Sequence, residues 1–179
     1  MLHKEISHLL LTHSHYDHAS HAAEWQRQGV QIVSSAATAE ALATGDERCI
    51  GYEVQRTFEP CLVDVILDDE QILKIANLEI HFHVAPGHTD GMVIYELVLE
   101  EERLWFIGDL LETMIGHRWI NLPWTGSPDF NQKKFIASLK HLLTVPACDH
   151  VFPGHGPAAI GHGRRLLEMA YSEALVKWR

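Results

Sequence analysis

The run Thr12-His13-Ser14-His15-Tyr16-Asp17-His18 crowds three imidazoles and a carboxylate onto one short stretch. It directly follows Leu9-Leu10-Leu11, an apolar run that reads as a buried strand. Unpaired polar groups buried on such a turn would cost several kcal/mol each, on the order of 2–7 kcal/mol for a neutral group. A divalent cation converts that cost into ligation energy, because neutral imidazole and carboxylate are its common ligands. The competing reading is a polar loop that happens to be rich in histidine.

A turn of this kind needs further ligands, and three later turns supply candidates. His88 sits in the glycine-rich turn Pro86-Gly87-His88-Thr89-Asp90-Gly91, Asp109 follows the apolar run Leu104 to Ile107 and Gly108, and His155 sits in Pro153-Gly154-His155-Gly156-Pro157. A simple turn aspartate is the plainer reading of Asp109. Each turn follows a short apolar strand, and strand ends on one side of a sheet bring such turns together. His13, His15, Asp17, His18, His88, Asp109 and His155 exceed what one tetrahedral zinc needs. They suit two adjacent divalent ions sharing one carboxylate.

The elements that must position these residues are readable from period and punctuation. Ala19 to Gln28 has apolar and small residues at helical spacing and a stop at Gly29, Val30 to Ser34 is β-branched, and Ala36 to Ala43 predicts a short helix ended by Gly45. Asp46 to Pro60 lacks a period and reads as a loop or partly helical excursion at the edge of a pocket. Strands are expected at Leu62 to Leu67, Ile72 to Ile75, Leu78 to Val84, Met92 to Leu99 and Leu104 to Ile107, with an acidic turn at Asp68-Asp69-Glu70 and a charged one at Glu100-Glu101-Glu102. In Leu78 to Val84 the alternation places His81 and His83 on the face opposite Ile80 and Phe82, a polar sheet face rather than a metal site. Gly116 to Pro128 is a loop carrying His117, Trp119 and Trp124, and its aromatics fit a substrate wall, an interface or plain packing. Asp129 reads as the N-cap of a helix from Phe130 to Leu143, Val151-Phe152 as a brief strand, and Gly163 to Trp178 as the closing helix.

The four motifs, in this order and across nearly the whole chain, resemble the metallo-β-lactamase superfamily. That resemblance implies an α/β fold, the αββα sandwich of the family. It implies that His13, His15 and His88 hold one metal, that Asp17, His18 and His155 hold the other, and that Asp109 bridges. The cofactor would be two zinc ions, with iron or manganese as alternatives. Only a dozen residues precede His13, so much of the usual N-terminal sheet is expected to be missing, and a homodimer could cover the face this leaves. Asp109 points away from the lactamases with a cysteine ligand and toward the hydrolase branches. With so few residues after the last motif, the helical glutathione-binding domain typical of glyoxalase II is not expected.

The expected activity is hydrolysis of an ester, thioester or lactone by a hydroxide generated between the metals, with Asp109 and Asp17 as the catalytic carboxylates and Asp17 relaying the proton. Two other readings stand beside it. One is persulfide oxidation by a mononuclear iron dioxygenase using His13, His88 and Asp109 as a facial set. The other is a non-catalytic metal-binding chain. Glu112 and His117, just after Asp109, could reach the pocket or simply be solvated.

Composition bounds the rest. The 179 residues suit one domain, 1–179, with a real core; 46% are hydrophobic and 21% charged. A net charge of −10 repels a polyphosphate backbone and makes nucleic acid an unlikely partner, while the aromatics and few fixed charges of Asp46 to Pro60 and Gly116 to Pro128 favour a small-molecule substrate that is neutral or partly apolar. No apolar stretch is long enough to span a bilayer and no signal-peptide pattern opens the chain, so no membrane association and a cytoplasmic location are expected. Cys49, Cys61 and Cys148 form no close pair and read as buried thiols.

Overall fold

The computed structural model describes residues 6–68, 71–116 and 118–178. Two of the three acidic residues at 68–70, and His117, lie outside the described residues. In chain order the elements are β1 (His8–Leu10), α1 (Tyr16–Ala19), α2 (Ala22–Arg27), β2 (Gln31–Ser35), α3 (Ala36–Thr44), two 3-10 turns (Glu47–Cys49 and Gly51–Val54), β3 (Val65–Leu67), β4 (Ile72–Ile75), β5 (Leu78–Val84), β6 (Val93–Leu99), β7 (Glu102–Gly108), β8 (Glu112–Thr113), β9 (Ile120–Asn121), α4 (Gln132–Leu142), β10 (His150–Pro153) and α5 (Gly163–Lys177).

Two sheets face one another. The first is parallel, in the order β1-β2-β3; the second runs β10-β7-β6-β5-β4 and is antiparallel except for the parallel pair β7–β10. A cluster of Val33, Leu67, Ile80, Phe82, Val93 and Tyr95 fills the space between the sheets. The Tyr95 hydroxyl faces the carbonyls of Leu11, at 2.9 Å, and Val33, at 3.2 Å, so it joins the second sheet to the first. On the outer side of the first sheet, Ala19, Ala22, Ile32, Ala41 and Leu42 pack together with Phe58. On the outer side of the second, Ile94, Trp105, Ile107 and Val151 meet Phe135, Leu139, Leu166 and Ala170 from α4 and α5. The layers are therefore helix, sheet, sheet, helix, the αββα arrangement. Each large apolar side chain buried here contributes about 1.5–3 kcal/mol relative to exposure.

Several boundaries differ from the sequence reading for local reasons. The helix expected from Ala19 to Gln28 is preceded by a separate one-turn helix, α1, which runs from Tyr16 inside the histidine run to Ala19, and is itself shortened to α2, Ala22–Arg27. The first of these positions Asp17 and His18, so the site requirement overrides the periodic signal. Gly45 ends α3 in the left-handed conformation, as expected from its position, and Ser35 caps its start by accepting from the Thr38 N–H. The cap of α4 is Asn131, not Asp129: the Asn131 side chain accepts from the Lys133 and Lys134 N–H groups. Asp129 has other partners. The three cysteines are free and buried, and burial pushes the Cys49 thiol up to about 12.

His83 does face away from Ile80 and Phe82, but the face is not solvent. It lies beside Glu96, a carboxylate only 3% exposed on β6. Glu96 accepts from Trp105 Nε1 at 2.7 Å, pairs with Arg103, and lies 2.9 Å from His83 Nε2. Burial alone would raise the Glu96 acid, but His83, Trp105 and Arg103 outweigh it and hold the group below the ordinary carboxylate value. A carboxylate depressed in the folded state stabilises above its unfolded pKa, about 4.3, and that stabilisation is lost as pH falls through the lower folded value. Glu96→Gln should lower stability by about 1–3 kcal/mol at pH 7, since Arg103 and His83 can partly rehydrate. In urea melts across pH 3–7, a range on the order of the carboxylate pKa values, the gap between variant and parent should shrink at the acid end. A constant gap would show that the charge on Glu96 is not what matters.

Candidate metal centre

All seven residues singled out in the sequence meet at one edge of the sandwich. His13 to His18 follow β1, His88 lies on the turn between β5 and β6, Asp109 directly follows β7, and His155 follows β10 after Gly154. Because β5, β7 and β10 run in one direction, the turns after them share an edge. The turns are fastened to the scaffold by the backbone and by hydroxyls. Val93 N–H donates to Thr12 O at 2.9 Å, while the Ser35 and Thr38 hydroxyls donate to Gly91 O at 2.6 and 3.0 Å.

The residues form two sets whose ligand atoms lie within 4.8 Å of one another: His13, His15, His88 and Asp109, all buried, and Asp17, His18 and His155, more open. Asp109 touches both. Its Oδ2 is 3.5 Å from His88 Nε2, 4.0 Å from His13 Nε2 and 3.4 Å from His155 Nε2, and its Oδ1 is 3.1 Å from His18 Nε2. Asp17 Oδ2 lies 3.1 Å from His155 Nε2 and 3.4 Å from His18 Nε2. Gly154 permits this closeness, because a Cβ there would collide with the Asp109 carboxylate and the His18 ring.

Whether the residues fit a cation is decided by their lone pairs. His88 Nδ1 faces the Trp124 carbonyl at 3.1 Å, and a carbonyl can only accept, so the proton is on Nδ1 and Nε2 is bare. His15 Nε2 faces the Ser127 hydroxyl at 3.1 Å, and that hydroxyl donates its one proton to Asp129 at 2.6 Å. His15 is therefore protonated on Nε2 and bare on Nδ1. The two bare nitrogens, His15 Nδ1 and His88 Nε2, then stand 3.1 Å apart with no proton between them. His13 Nδ1 is 3.0 Å from the Thr12 hydroxyl, which leaves its buried Nε2 without a hydrogen-bond partner among the described residues. Asp109 Oδ1 is likewise buried without one, since His18 Nε2 is close but off the hydrogen-bonding axis. Converging, unpartnered lone pairs repel unless a cation lies among them, so the donor set fits a metal ion.

The electrostatics agree. Burial, with the neighbouring imidazoles, drives His13 well down and His15 to about 3, and burial also lowers His88, so all three are neutral as ligands must be. Burial opposes charge on His18 as well, but the Asp109 and Asp17 carboxylates beside it prevail and push it up to about 9. A proton there and a metal cation answer to the same two carboxylates.

Other sequence candidates divide. Glu112 and Trp124 line a cavity of about 260 Å³ beside the cluster, with Tyr16, Ile50, Glu53 and Val54 as further walls. Both expected wall segments thus contribute. Trp119 is 53% exposed and takes no part in that cavity. Thr12, Ser127 and Asp129 were missed as site residues. Asp129 resembled a helix cap, and nothing local in the sequence shows that its partner is Ser127.

The chain is similar in fold to several solved structures. It is similar to the crystal structure of BLEG-1 B3 metallo-beta-lactamase, with 23% identity and a TM-score of 0.70 over 86% of this chain and 71% of that one. It is similar to a metallo-beta-lactamase of Cronobacter sakazakii with 17% identity and a TM-score of 0.71, over 97% of this chain and 74% of that one. It is also similar to ETHE1 from Myxococcus xanthus, with 23% identity and a TM-score of 0.66, over 98% of this chain and 69% of that one. These likenesses establish the fold, and in each case the solved chain is the longer. The sequence profile of the metallo-beta-lactamase superfamily matches residues 3–155, and the chain belongs to that superfamily.

Proposed function

We propose that this chain is a metal-dependent hydrolase of a small ester, thioester or lactone, with two zinc ions as its cofactor. The observation that carries the reading is Asp109, whose two oxygens reach residues of both ligand sets. His13, His15 and His88 would hold one ion; Asp17, His18 and His155 would hold the other; Asp109 would lie between them. Divalent ions so held acidify water toward neutrality and polarise an acyl carbonyl, the chemistry an acyl hydrolase needs.

The chain's own residues supply the rest. Buried His13, His15 and His88 stay neutral and rigid, which keeps the inner half of the site preorganised. Asp17, exposed at the mouth and held ionised chiefly by the His18 imidazole 3.4 Å away, is the group placed to pass a proton to or from solvent. Ile50, Val54 and Trp124 shield the acyl group from water, and the cavity of about 260 Å³ limits it to a small one. Glu53 and Glu112 are the added charges on the wall, so neutral acyl compounds are favoured over anionic ones.

A second reading has one specific observation in its favour. The inner set is fully buried whereas Asp17 and His155 are exposed, an asymmetry that suits a single tightly held ion and hence mononuclear iron chemistry at His13, His88 and Asp109. Elemental analysis separates the two: two zincs per chain support hydrolysis, one iron supports oxidation.

The zinc-loaded protein should hydrolyse members of a panel of generic esters, thioesters and lactones. Asp109→Ala should lose more activity than the roughly 10–100-fold typical of removing an outer partner of a metal ligand. Equal rates in parent and variant would sink the proposal. Gly154→Ala should lose its second equivalent of zinc, since the added methyl displaces Asp109 and His18. Full occupancy in that variant would refute a shared Asp109.

A further inference from the structure

The loop from Trp124 to Asn131 provides the outer partners of two histidines that belong to different turns. Trp124 O accepts from His88, and Ser127 Oγ accepts from His15. Behind Ser127, Asp129 binds in two directions. Its Oδ1 accepts the Ser127 proton at 2.6 Å, and its Oδ2 accepts the Asp90 N–H at 2.9 Å, two residues beyond His88. The Asn131 N–H donates to Gly87 O at 2.8 Å, and Lys134 Nζ donates to the Asp90 carboxylate at 2.7 Å, so this loop and the His88 turn are tied together at several points.

We infer that Ser127 and Asp129 are positioning residues for the buried metal set: through the Ser127 hydroxyl the Asp129 carboxylate fixes the tautomer and ring direction of His15 and registers it against His88. The inference rests on the metal-binding reading of the site. A serine hydroxyl has one proton, and Asp129 takes it. His15 must then donate from Nε2, which turns the bare Nδ1 toward His88. Without Asp129 the hydroxyl is free to donate to Nε2 instead. That favours the tautomer with a proton on Nδ1, which cannot bind a metal there. The carboxylate also raises the donor strength of the imidazole through the intervening hydroxyl. Ser127 is 6% exposed, so water does not readily replace it.

The test is cobalt(II) and zinc(II) titration of the whole chain with Ser127→Ala, Ser127→Thr and Asp129→Asn, following the cobalt absorption spectrum and the thermal melt of each protein before metal is added. His13→Ala identifies which spectral band belongs to the buried set. Ser127→Ala should weaken that ion about 10–100-fold and shift its band, leaving the other ion unchanged. Ser127→Thr should restore both, and Asp129→Asn should fall between. A parent-like buried-set affinity and band in Ser127→Ala overturns the inference but leaves the metal site standing. Loss of both ions together, or a fall in affinity that Thr does not repair, shows a structural role and overturns it as well. A parent protein that takes up neither metal overturns this inference and the proposed function together.

Discussion

The organising constraint is that several imidazole lone pairs and carboxylate oxygens have to converge at one point with no protons between them. His15 Nδ1 and His88 Nε2, 3.1 Å apart, express it most sharply. Left alone, such an arrangement is repulsive and desolvated, and the sandwich must hold it open. It does so by denying the nitrogens their alternatives. Thr12, Ser127 and the Trp124 carbonyl occupy the outer nitrogen of each buried histidine, so the inner nitrogen has only the centre to face.

The scaffold provides that denial through its topology. Parallel pairs β1–β2 and β7–β10, together with the antiparallel run β5-β6-β7, deliver the carboxyl ends of several strands to one edge. The two cores on the outer faces and the third between the sheets make those strand ends rigid, while the turns beyond them carry the chemistry. Side-chain bonds then stitch turn to turn: Ser35 and Thr38 to Gly91, Asp129 to Asp90, Tyr95 to the strand that leads into the histidine run. Burial is graded across the centre, from the enclosed His13 to the exposed His155.

Much of this was legible in the sequence because it is written in local signals. Gly29 and Gly45 stop helices, the alternation in Leu78–Val84 is a strand, and the spacing of the histidine run has few readings besides a metal. The misreadings share a cause. Asp129 and Asn131 are both good caps, and only the position of Ser127 and Asp90 decides that Asn131 does the capping. His83 reads as a residue on a polar face, whereas it serves a buried carboxylate two strands' worth of sequence away. Local chemistry does not specify a partner that folding brings from elsewhere.

The sequence by itself determined the candidate metal-binding residues, most of the order of strands and helices but not the β8–β9 pair, and the family, because residue type and short-range spacing are local properties. Tertiary structure alone decided which set of candidate ligands is buried, that Asp109 touches both sets, and which nitrogen of each buried histidine is bare. Those are questions of distance between segments far apart in the chain, and packing settles them by excluding water and leaving each polar atom one direction in which to find a partner.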